Sequence, residues 1–263
     1  ELTSLSHTRV KRKMETIYGN SGELKPPDFT GLPWNLYQYR GLNNNYSPEI
    51  KEVLKKFNNS RLTVIPYKFM RGCPFKCIFC STSGFNNFFA LPPGKIAQEL
   101  KGLRDRYGVQ SFFFLSDTIN ISKSYMNELI NEINAARIHI LWSDCARPNN
   151  LDKDLLKRIR ESGCIRLIYG LETGSNRQLE YIHKGVNIKE VENILCWTHE
   201  AGIWCGIEII CGLPYEQEED INETISFLKY NQEFIDQIYF NTFSIRDGSL
   251  LLNNSQMYGI TNI

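Results

Sequence analysis

Short strand-like runs alternate with amphipathic helical patterns from Arg61 onward, and this alternation restricts the fold more than any other feature. The strand-like runs are rich in β-branched and aromatic residues, and six are predicted: Leu62–Lys68, Ser111–Ser116, His139–Ser143, Ile165–Leu171, Trp204–Gly212 and Asp236–Phe243. Between them, apolar residues recur every three or four positions, which predicts five helices with one buried face each: Gly94–Arg106, Lys123–Ala136, Leu151–Glu161, Ile188–Ala201 and Glu218–Asn231.

Strands that alternate with helices join through right-handed crossovers into a parallel sheet. We therefore predict an α/β fold with a partial (β/α)6 TIM-like barrel over residues 61–251. An irregular linker is expected over residues 1–60, ending in a short helix from Ser47 to about Phe57. Residues 252–263 are expected to begin a C-terminal extension, and Glu1 in place of Met predicts a fragment or a processed product. Functional groups of such a barrel belong at the carboxyl ends of its strands.

Charge and cysteine usage exclude several classes of protein. The 263 residues carry 30 basic and 29 acidic side chains, a balance without the basic surface that bulk nucleic-acid or anionic-membrane binding needs. No apolar stretch approaches the roughly 20 residues of a membrane-spanning helix. The eight cysteines do not suggest a secreted disulfide scaffold, because the chain is long and three of them are spaced like metal ligands. We therefore expect a cytoplasmic protein that binds no nucleic acid.

Three cysteines form the most specific motif. Cys73, Cys77 and Cys80 have the spacing C-x3-C-x2-C on the loop after the first predicted strand. A structural zinc site takes four ligands, usually completed by a second cysteine pair or a histidine pair, and the four histidines here are scattered. A cubane iron–sulfur cluster normally takes four thiolates, so three leave one iron open to a substrate or cofactor. A zinc knuckle completed by a distant residue is the alternative.

The motif resembles that of the radical S-adenosylmethionine (radical SAM) superfamily, C-x3-C-x-aromatic-C, with Phe79 in the aromatic position. The resemblance extends over about Pro27 to Leu251. It implies a 4Fe-4S cluster held by Cys73, Cys77 and Cys80, and SAM bound to the fourth iron through its amino and carboxylate groups. It also implies that Phe79 packs on the adenine of SAM. An electron donor such as flavodoxin or ferredoxin would reduce the cluster, and the products of SAM cleavage would be methionine and a 5′-deoxyadenosyl radical.

Polar residues follow the second and third predicted strands. Ser116 and Asp117 end the second strand, where the family contacts the methionyl amino group, and a carboxylate suits an ammonium ion. The alternative for Asp117 is a helix N-cap. On the third strand, the two-residue alternation places Cys145 and Arg147 on one face. Arg147 would reach the SAM carboxylate or the cluster, or else form a surface ion pair.

The fourth and fifth strands add carboxylates. Alternation directs Glu172 towards the barrel interior, where a carboxylate accepts hydrogen bonds from ribose hydroxyls. Glu208 lies within an apolar run and is expected to face a polar centre. Ile210 would then approach the adenine. Glu208 replaces the first glycine of the family's glycine–isoleucine–glycine pattern, so this chain departs from the family here.

The resemblance leaves the reaction open. Residues 27–33 resemble the joint after a cobalamin-binding domain, which would precede Glu1 and supply cobalamin for methylation of an unactivated carbon. The alternative is a cobalamin-independent peptide epimerase or other peptide maturase with Cys145 as hydrogen donor, so the substrate is a small molecule or a peptide. A non-catalytic iron–sulfur electron-transfer protein is a third class. The other four cysteines are expected in the core: Cys164, Cys196, Cys205 and Cys211.

Overall fold

The computed structural model describes residues 27–33, 64–84 and 88–260. In these ranges the strands are β1 (Val64–Tyr67), β2 (Met70–Arg71), β3 (Phe89–Ala90), β4 (Ser111–Phe114), β5 (Leu141–Ala146), β6 (Cys164–Glu172), β7 (Trp204–Cys211) and β8 (Gln237–Thr242). The helices are α1 (Pro93–Tyr107), α2 (Lys123–Ala135), α3 (Lys153–Glu161), α4 (Asn176–Tyr181), α5 (Ile188–Glu200), α6 (Glu218–Tyr230) and α7 (Leu250–Asn253).

Six strands form one parallel sheet in the order β1-β4-β5-β6-β7-β8. Each neighbouring pair in this order is parallel, from Val64 opposite Ser111 to Cys211 opposite Thr242. The order follows the chain and ends in two edge strands, so the sheet is an open, partial barrel. This confirms the predicted α/β fold class. Parallel pairing brings all six carboxyl ends to one rim of the sheet.

The helix-facing side of the sheet forms the main core. Phe114 of β4 stacks on Trp142 of β5 with ring centroids 5.3 Å apart, and Trp142 Nε1 donates to the Ser162 carbonyl oxygen at 3.3 Å. On β6, Leu167 and Tyr169 are almost fully buried in the same core. The alternation predicted for β6 is therefore confirmed, because these residues pack against helices while their neighbours point inward.

The predicted helices and strands are present with shifted ends. Helix α2 begins at Lys123, where the Ser122 side chain accepts a hydrogen bond from the Tyr125 amide as N-cap. The third predicted strand was placed too early: β5 continues to Ala146, because residues after Ser143 pair with β6. Helix α4 was not predicted, since six residues are too few for a periodic pattern. The predicted helix from Ser47 to Phe57 lies outside the described residues.

Part of the predicted linker packs on the first barrel helix. The Phe29 ring meets the Tyr107 ring edge-on with centroids 5.9 Å apart. Tyr107 Oη donates to Asp28 Oδ1 at 2.7 Å, and Arg106 Nη2 donates to Thr30 Oγ1 at 2.8 Å. Residues 28–30 are therefore held at the C-terminal end of α1. No helix within the described ranges has the length and apolar character to cross a lipid bilayer.

The cluster loop, residues 72–84, is held by distant segments of backbone. The antiparallel pair β2 and β3 flanks it. Ile78 donates its amide to the Ile182 carbonyl oxygen at 3.1 Å and accepts from the Leu251 amide at 2.9 Å, while the Gly84 amide donates to the Gly248 carbonyl oxygen at 2.9 Å. The loop after β1 is thus joined to the turn after β8, which lies nearly 170 residues later in the chain.

Gly84 permits this close approach, and its substitution should weaken it. A Cβ at Gly84 would lie 2.3 Å from the Gly248 carbonyl oxygen. We expect Gly84→Ala to lower the free energy of unfolding by about 1–3 kcal/mol, since backbone must move to relieve the overlap. The measurement is urea unfolding of the metal-free protein. Gly102→Ala in α1 is the control, because nothing lies within 4 Å of its added Cβ. Equal stability of wild type and Gly84→Ala would contradict the contact.

Candidate active site

A cavity of about 570 Å³ opens at the rim where the carboxyl ends of the parallel strands meet. The cluster loop, the ends of β4 to β7 and the segment after β8 line it, as this architecture predicts for functional groups. All the residues proposed from the sequence except Ser116 line this one cavity: Cys73, Cys77, Phe79, Cys80, Asp117, Cys145, Arg147, Glu172, Glu208 and Ile210. Their roles there stay predictions.

Arg147 joins the end of β5 to the cluster loop. Its Nη1 donates to Cys77 Sγ at 3.0 Å, its Cζ lies 4.0 Å from the centroid of the Phe75 ring, and its Nη2 donates to the Lys184 carbonyl oxygen. The side chain is buried, so the surface ion pair suggested as an alternative is wrong. A guanidinium against this sulfur places positive charge beside a predicted cluster ligand, and positive charge favours the thiolate form that binds metal.

Asn120 positions Arg147 from the neighbouring strand end. Its Oδ1 accepts from the Arg147 amide and its Nδ2 donates to the Arg147 carbonyl oxygen, each at 2.8 Å. Asn120 is fully buried, so both bonds are shielded from water. Arg147 Nε is buried without a partner among the described residues. An unpaired donor beside the cysteines fits a site that a polar group completes.

The three thiols of the motif line one cavity without converging on a single point. Cys73, Cys77 and Cys80 line the same cavity, yet among the described residues no three His, Cys, Asp or Glu side chains converge on a point that would hold one metal ion. The thiolates of a cubane bind different irons, so they need not converge on one. Burial raises the pKa of the Cys73 thiol, which a bound metal would offset.

Glu172 and Lys184 form a buried ion pair on the cavity wall. Lys184 Nζ donates to Glu172 Oε1 at 2.7 Å, and both side chains are more than 90% buried. Glu172 has a φ of 75°, in the left-handed region that is costly for a side chain. It lies where the pairing of β6 with β7 shifts by one residue after Gly170. This bulge turns the carboxylate into the cavity.

Gly170 makes room for that ion pair. A Cβ at this position would lie 2.7 Å from Glu172 Oε1 and 3.1 Å from Lys184 Nζ. The absence of a side chain at Gly170 therefore leaves the space that the paired carboxylate and ammonium occupy. The pair carries no net charge, so it supplies fixed dipoles rather than a free charge to a bound ligand.

Glu208 faces the cavity from β7, as its position within an apolar run predicted. Its neighbours Ile207 and Ile209 are buried in the main core, whereas Glu208 and Ile210 line the cavity. Burial and then the nearby Glu172 carboxylate raise the pKa of Glu208, and Lys184 partly offsets them. The carboxylates of Glu172 and Glu208 thus share the ammonium ion of Lys184 at this part of the wall.

The structure separates Asp117 from Ser116. Asp117 is exposed and lines the cavity; the N-cap suggested for it is Ser122 instead. Ser116 is buried away from the cavity lining, and its amide donates to Asp144 Oδ1 at 3.2 Å. The proposed contact of Ser116 with SAM therefore has no geometric support.

The remaining cysteines fall into three groups. Cys164 and Cys205 are fully buried, as expected of core residues. The core assignment is wrong for Cys211, which is exposed at the end of β7, and for Cys196, which is only half-buried on α5. The helix-facing side of a strand is buried only where a helix packs against it. At Cys211, β7 extends beyond the part that helices bury. Cys145 lines the cavity, where burial and the Asp144 and Glu208 carboxylates raise its pKa to about 12.

Sequence reasoning did not place Lys184, Phe75 or Asn120 among the site residues. Lys184 precedes a glycine after a short helix, and its sequence position gives no sign that it meets Glu172. Phe75 lies inside the cysteine motif at a position where the motif itself specifies no residue. Asn120 follows the acidic strand end, yet its role depends on Arg147 of the next strand. All three contacts join segments that are distant in the chain.

The comparisons with known proteins agree with this site. The model of the radical SAM superfamily matches residues 67–228. The chain therefore belongs to the radical SAM superfamily, a class of enzymes that use S-adenosylmethionine with a 4Fe-4S cluster and that need a reductant and a substrate. The cysteine motif of this chain fits these cofactors. The alternative of a non-catalytic iron–sulfur electron-transfer protein is therefore not retained.

Two curated relatives are methyltransferases by name. An uncharacterized methyltransferase of Pyrococcus horikoshii is 30% identical over 161 residues, 60% of this chain and 35% of the relative. Bacteriochlorophyllide d C-12(1)-methyltransferase of Chlorobaculum tepidum is 24% identical over 89% of this chain and 48% of its own length. This chain thus spans less than half the length of these two relatives.

Solved structures share the fold at low sequence identity. The radical SAM methyltransferase TsrM of Kitasatospora setae, with cobalamin and a 4Fe-4S cluster bound, superposes with a TM-score of 0.62 at 14% identity over 76% of this chain and 41% of its own. The cobalamin-dependent radical SAM enzyme OxsB with aqua-cobalamin gives 0.56 at 15% identity, over 95% of this chain and 38% of its own. At these identities the likeness establishes the fold alone.

The ligand assignment predicts different outcomes for two cysteines. Cys73→Ala should abolish SAM cleavage, because a cluster with two protein thiolates is incompletely held. Cys205→Ala, buried in the core, should lower only the free energy of unfolding, by about 1 kcal/mol. Iron content and 5′-deoxyadenosine formation after anaerobic reconstitution measure the difference. Retention of full iron and cleavage by Cys73→Ala would refute its role as a ligand.

Proposed function

We propose that the protein to which this chain belongs cleaves SAM reductively and uses the radical for cobalamin-dependent methylation of an unactivated carbon. The observation that carries the proposal is the cavity that joins the three thiols to three carboxylates, which come from the segment after β4, from β6 and from β7. When bound, the cluster and SAM supply a 5′-deoxyadenosyl radical, which requires a site that holds its ligands and excludes water.

The chain's own residues have separable tasks in this proposal. Cys73, Cys77 and Cys80 hold the cluster, and Arg147 orients Cys77 through its 3.0 Å hydrogen bond. Asp117 accepts from the methionyl ammonium of SAM, since it is an exposed carboxylate on the cavity wall.

Three further residues bind the nucleoside part of SAM. The Glu172 carboxylate, held by Lys184, accepts from the ribose hydroxyls. Phe79 and Ile210 offer apolar surface to the adenine, and both belong to a second apolar cluster beside the loop. Burial of this surface favours a flat aromatic ligand.

The methylation proposal draws on two of the relatives and on two of the superposed structures. Two are methyltransferases by name, and the superposed TsrM and OxsB structures are of cobalamin-binding radical SAM enzymes. We propose that residues 1–60 link the barrel to a preceding cobalamin-binding domain and that residues 252–263 begin a C-terminal extension. The docking of residues 28–30 on α1 would set where that linker leaves the barrel. The electron donor would be a flavodoxin or ferredoxin. The cytoplasmic location and the absence of nucleic-acid binding stay predictions.

The proposal predicts two measurable properties of the full-length protein. After anaerobic reconstitution with iron and sulfide, dithionite and SAM should yield 5′-deoxyadenosine, and the purified protein should bind cobalamin, detected by its visible absorption. An intact cluster without 5′-deoxyadenosine would overturn the proposed enzyme activity. Cleavage without bound cobalamin would overturn only the methylation.

Cys145 gives a second candidate function, radical epimerisation of a peptide. A hydrogen-atom donor must keep its S–H bond, and the cavity-facing Cys145 thiol, with its pKa of about 12, stays protonated at neutral pH. Epimerisation predicts that deuterium from heavy water enters a peptide product and that Cys145→Ala loses this incorporation while still forming 5′-deoxyadenosine. Cys196→Ala is the control, a half-buried cysteine outside the cavity lining. Product without deuterium would exclude this function.

A further inference from the structure

One wall of the cavity takes no part in the contacts assigned to the cluster and SAM. It is the segment from Asn241 to Arg246, the end of β8 and the extended chain after it. Asn241, Thr242, Ser244 and Arg246 line the cavity and are exposed. Among the described residues, none of these four side chains has a hydrogen-bond or ion-pair partner. A row of unpartnered polar groups in a cavity is what a ligand-binding wall presents.

Two apolar residues hold this segment beside the cluster loop. Phe243 and Ile245 pack into the apolar cluster that contains Ile78 of the cluster loop. In an extended chain, successive side chains point to opposite sides. Thr242, Ser244 and Arg246 alternate with these two apolar residues and line the cavity, and Phe243 also contributes to the lining. These apolar contacts hold the segment that carries the polar residues beside the cluster loop.

Charge distinguishes Arg246 from the other two cations of the cavity. Lys184 is neutralised by Glu172 at 2.7 Å. Arg147 donates to Cys77 Sγ and to a backbone carbonyl oxygen. Arg246 alone among the three has no carboxylate, thiol or carbonyl partner in the described residues. Even the adjacent Asp247 forms no ion pair with it.

We propose that Arg246, with the hydroxyls of Thr242 and Ser244, binds an oxyanion of the substrate, a carboxylate or a phosphate. A guanidinium binds such groups through two parallel hydrogen bonds, and hydroxyl donors beside it complete the shell of an oxyanion. The carboxylate of SAM is not the group that Arg246 binds, because the family resemblance places that carboxylate on the open iron, next to the cysteines and Arg147. The inference rests on the proposed function only in taking this ligand to be the substrate of the radical reaction.

The test is equilibrium binding of three matched aromatic probes to the reconstituted protein with SAM. Benzoate and phenyl phosphate carry the oxyanion, whereas benzamide is its neutral counterpart, and ligand-observed NMR titration gives each Kd. We expect both anions, or one of them, to bind more tightly than benzamide. Arg246→Gln should weaken that binding by about tenfold or more, the usual effect of a lost charge-assisted hydrogen bond. The tighter of the two anions identifies the substrate as a carboxylate or a phosphate.

The matched control is Arg137→Gln, the same substitution at an exposed arginine after α2 that does not line the cavity; its probe affinities should equal those of the wild type. Wild-type binding of the anions no tighter than benzamide, or equal anion affinity of wild type and Arg246→Gln, would overturn the proposal. The Kd for SAM, measured in parallel, distinguishes an oxyanion of the substrate from the carboxylate of SAM. A tenfold loss of SAM affinity in Arg246→Gln would assign the residue to SAM and overturn the proposal. These outcomes do not depend on SAM cleavage, so they are distinct from failure of the proposed function.

Discussion

Parallel pairing of the six strands in chain order is the constraint from which the site follows. Each βα unit returns the chain to the same end of the sheet, so the residues that leave each strand reach one rim. The cluster loop after β1 and the segment after β8 come from the two edge strands, yet backbone hydrogen bonds between Gly84 and Gly248 and between Leu251 and Ile78 join them. The rim thereby becomes a cavity with a wall on each side instead of an open groove.

Electrostatics then divides the cavity into zones. Around the cysteines, the buried Arg147 guanidinium contacts sulfur and is stacked on Phe75. At the ends of β6 and β7, two carboxylates share the ammonium of Lys184, which favours donors such as ammonium ions and hydroxyls as ligands. After β8, the cavity wall carries several polar side chains and Arg246, which has no ion-pair partner among the residues that the structure describes. A ligand with both kinds of charge can be oriented by these zones, because each zone prefers one sign.

Much of this arrangement was predictable because it depends on local periodicity. The prediction of which side of β6 faces the helices was correct, since Leu167 and Tyr169 are buried while Glu172 lines the cavity. Periodicity does not say where a covering helix ends, so Cys211 was placed in the core although it is exposed. It also does not detect the bulge after Gly170, which depends on the pairing of two strands.

The sequence by itself determined the parallel α/β architecture, the family resemblance and the loop that carries Cys73, Cys77 and Cys80. Each of these depends on patterns that repeat or are spaced over a few residues. Only the tertiary structure decided which partner each side chain has: Arg147 with Cys77, Lys184 with Glu172, and the turn after β8 with the cluster loop. These contacts join positions 12 to more than 160 residues apart. Such pairings depend on strand order and loop path, which a single sequence does not encode in any local pattern.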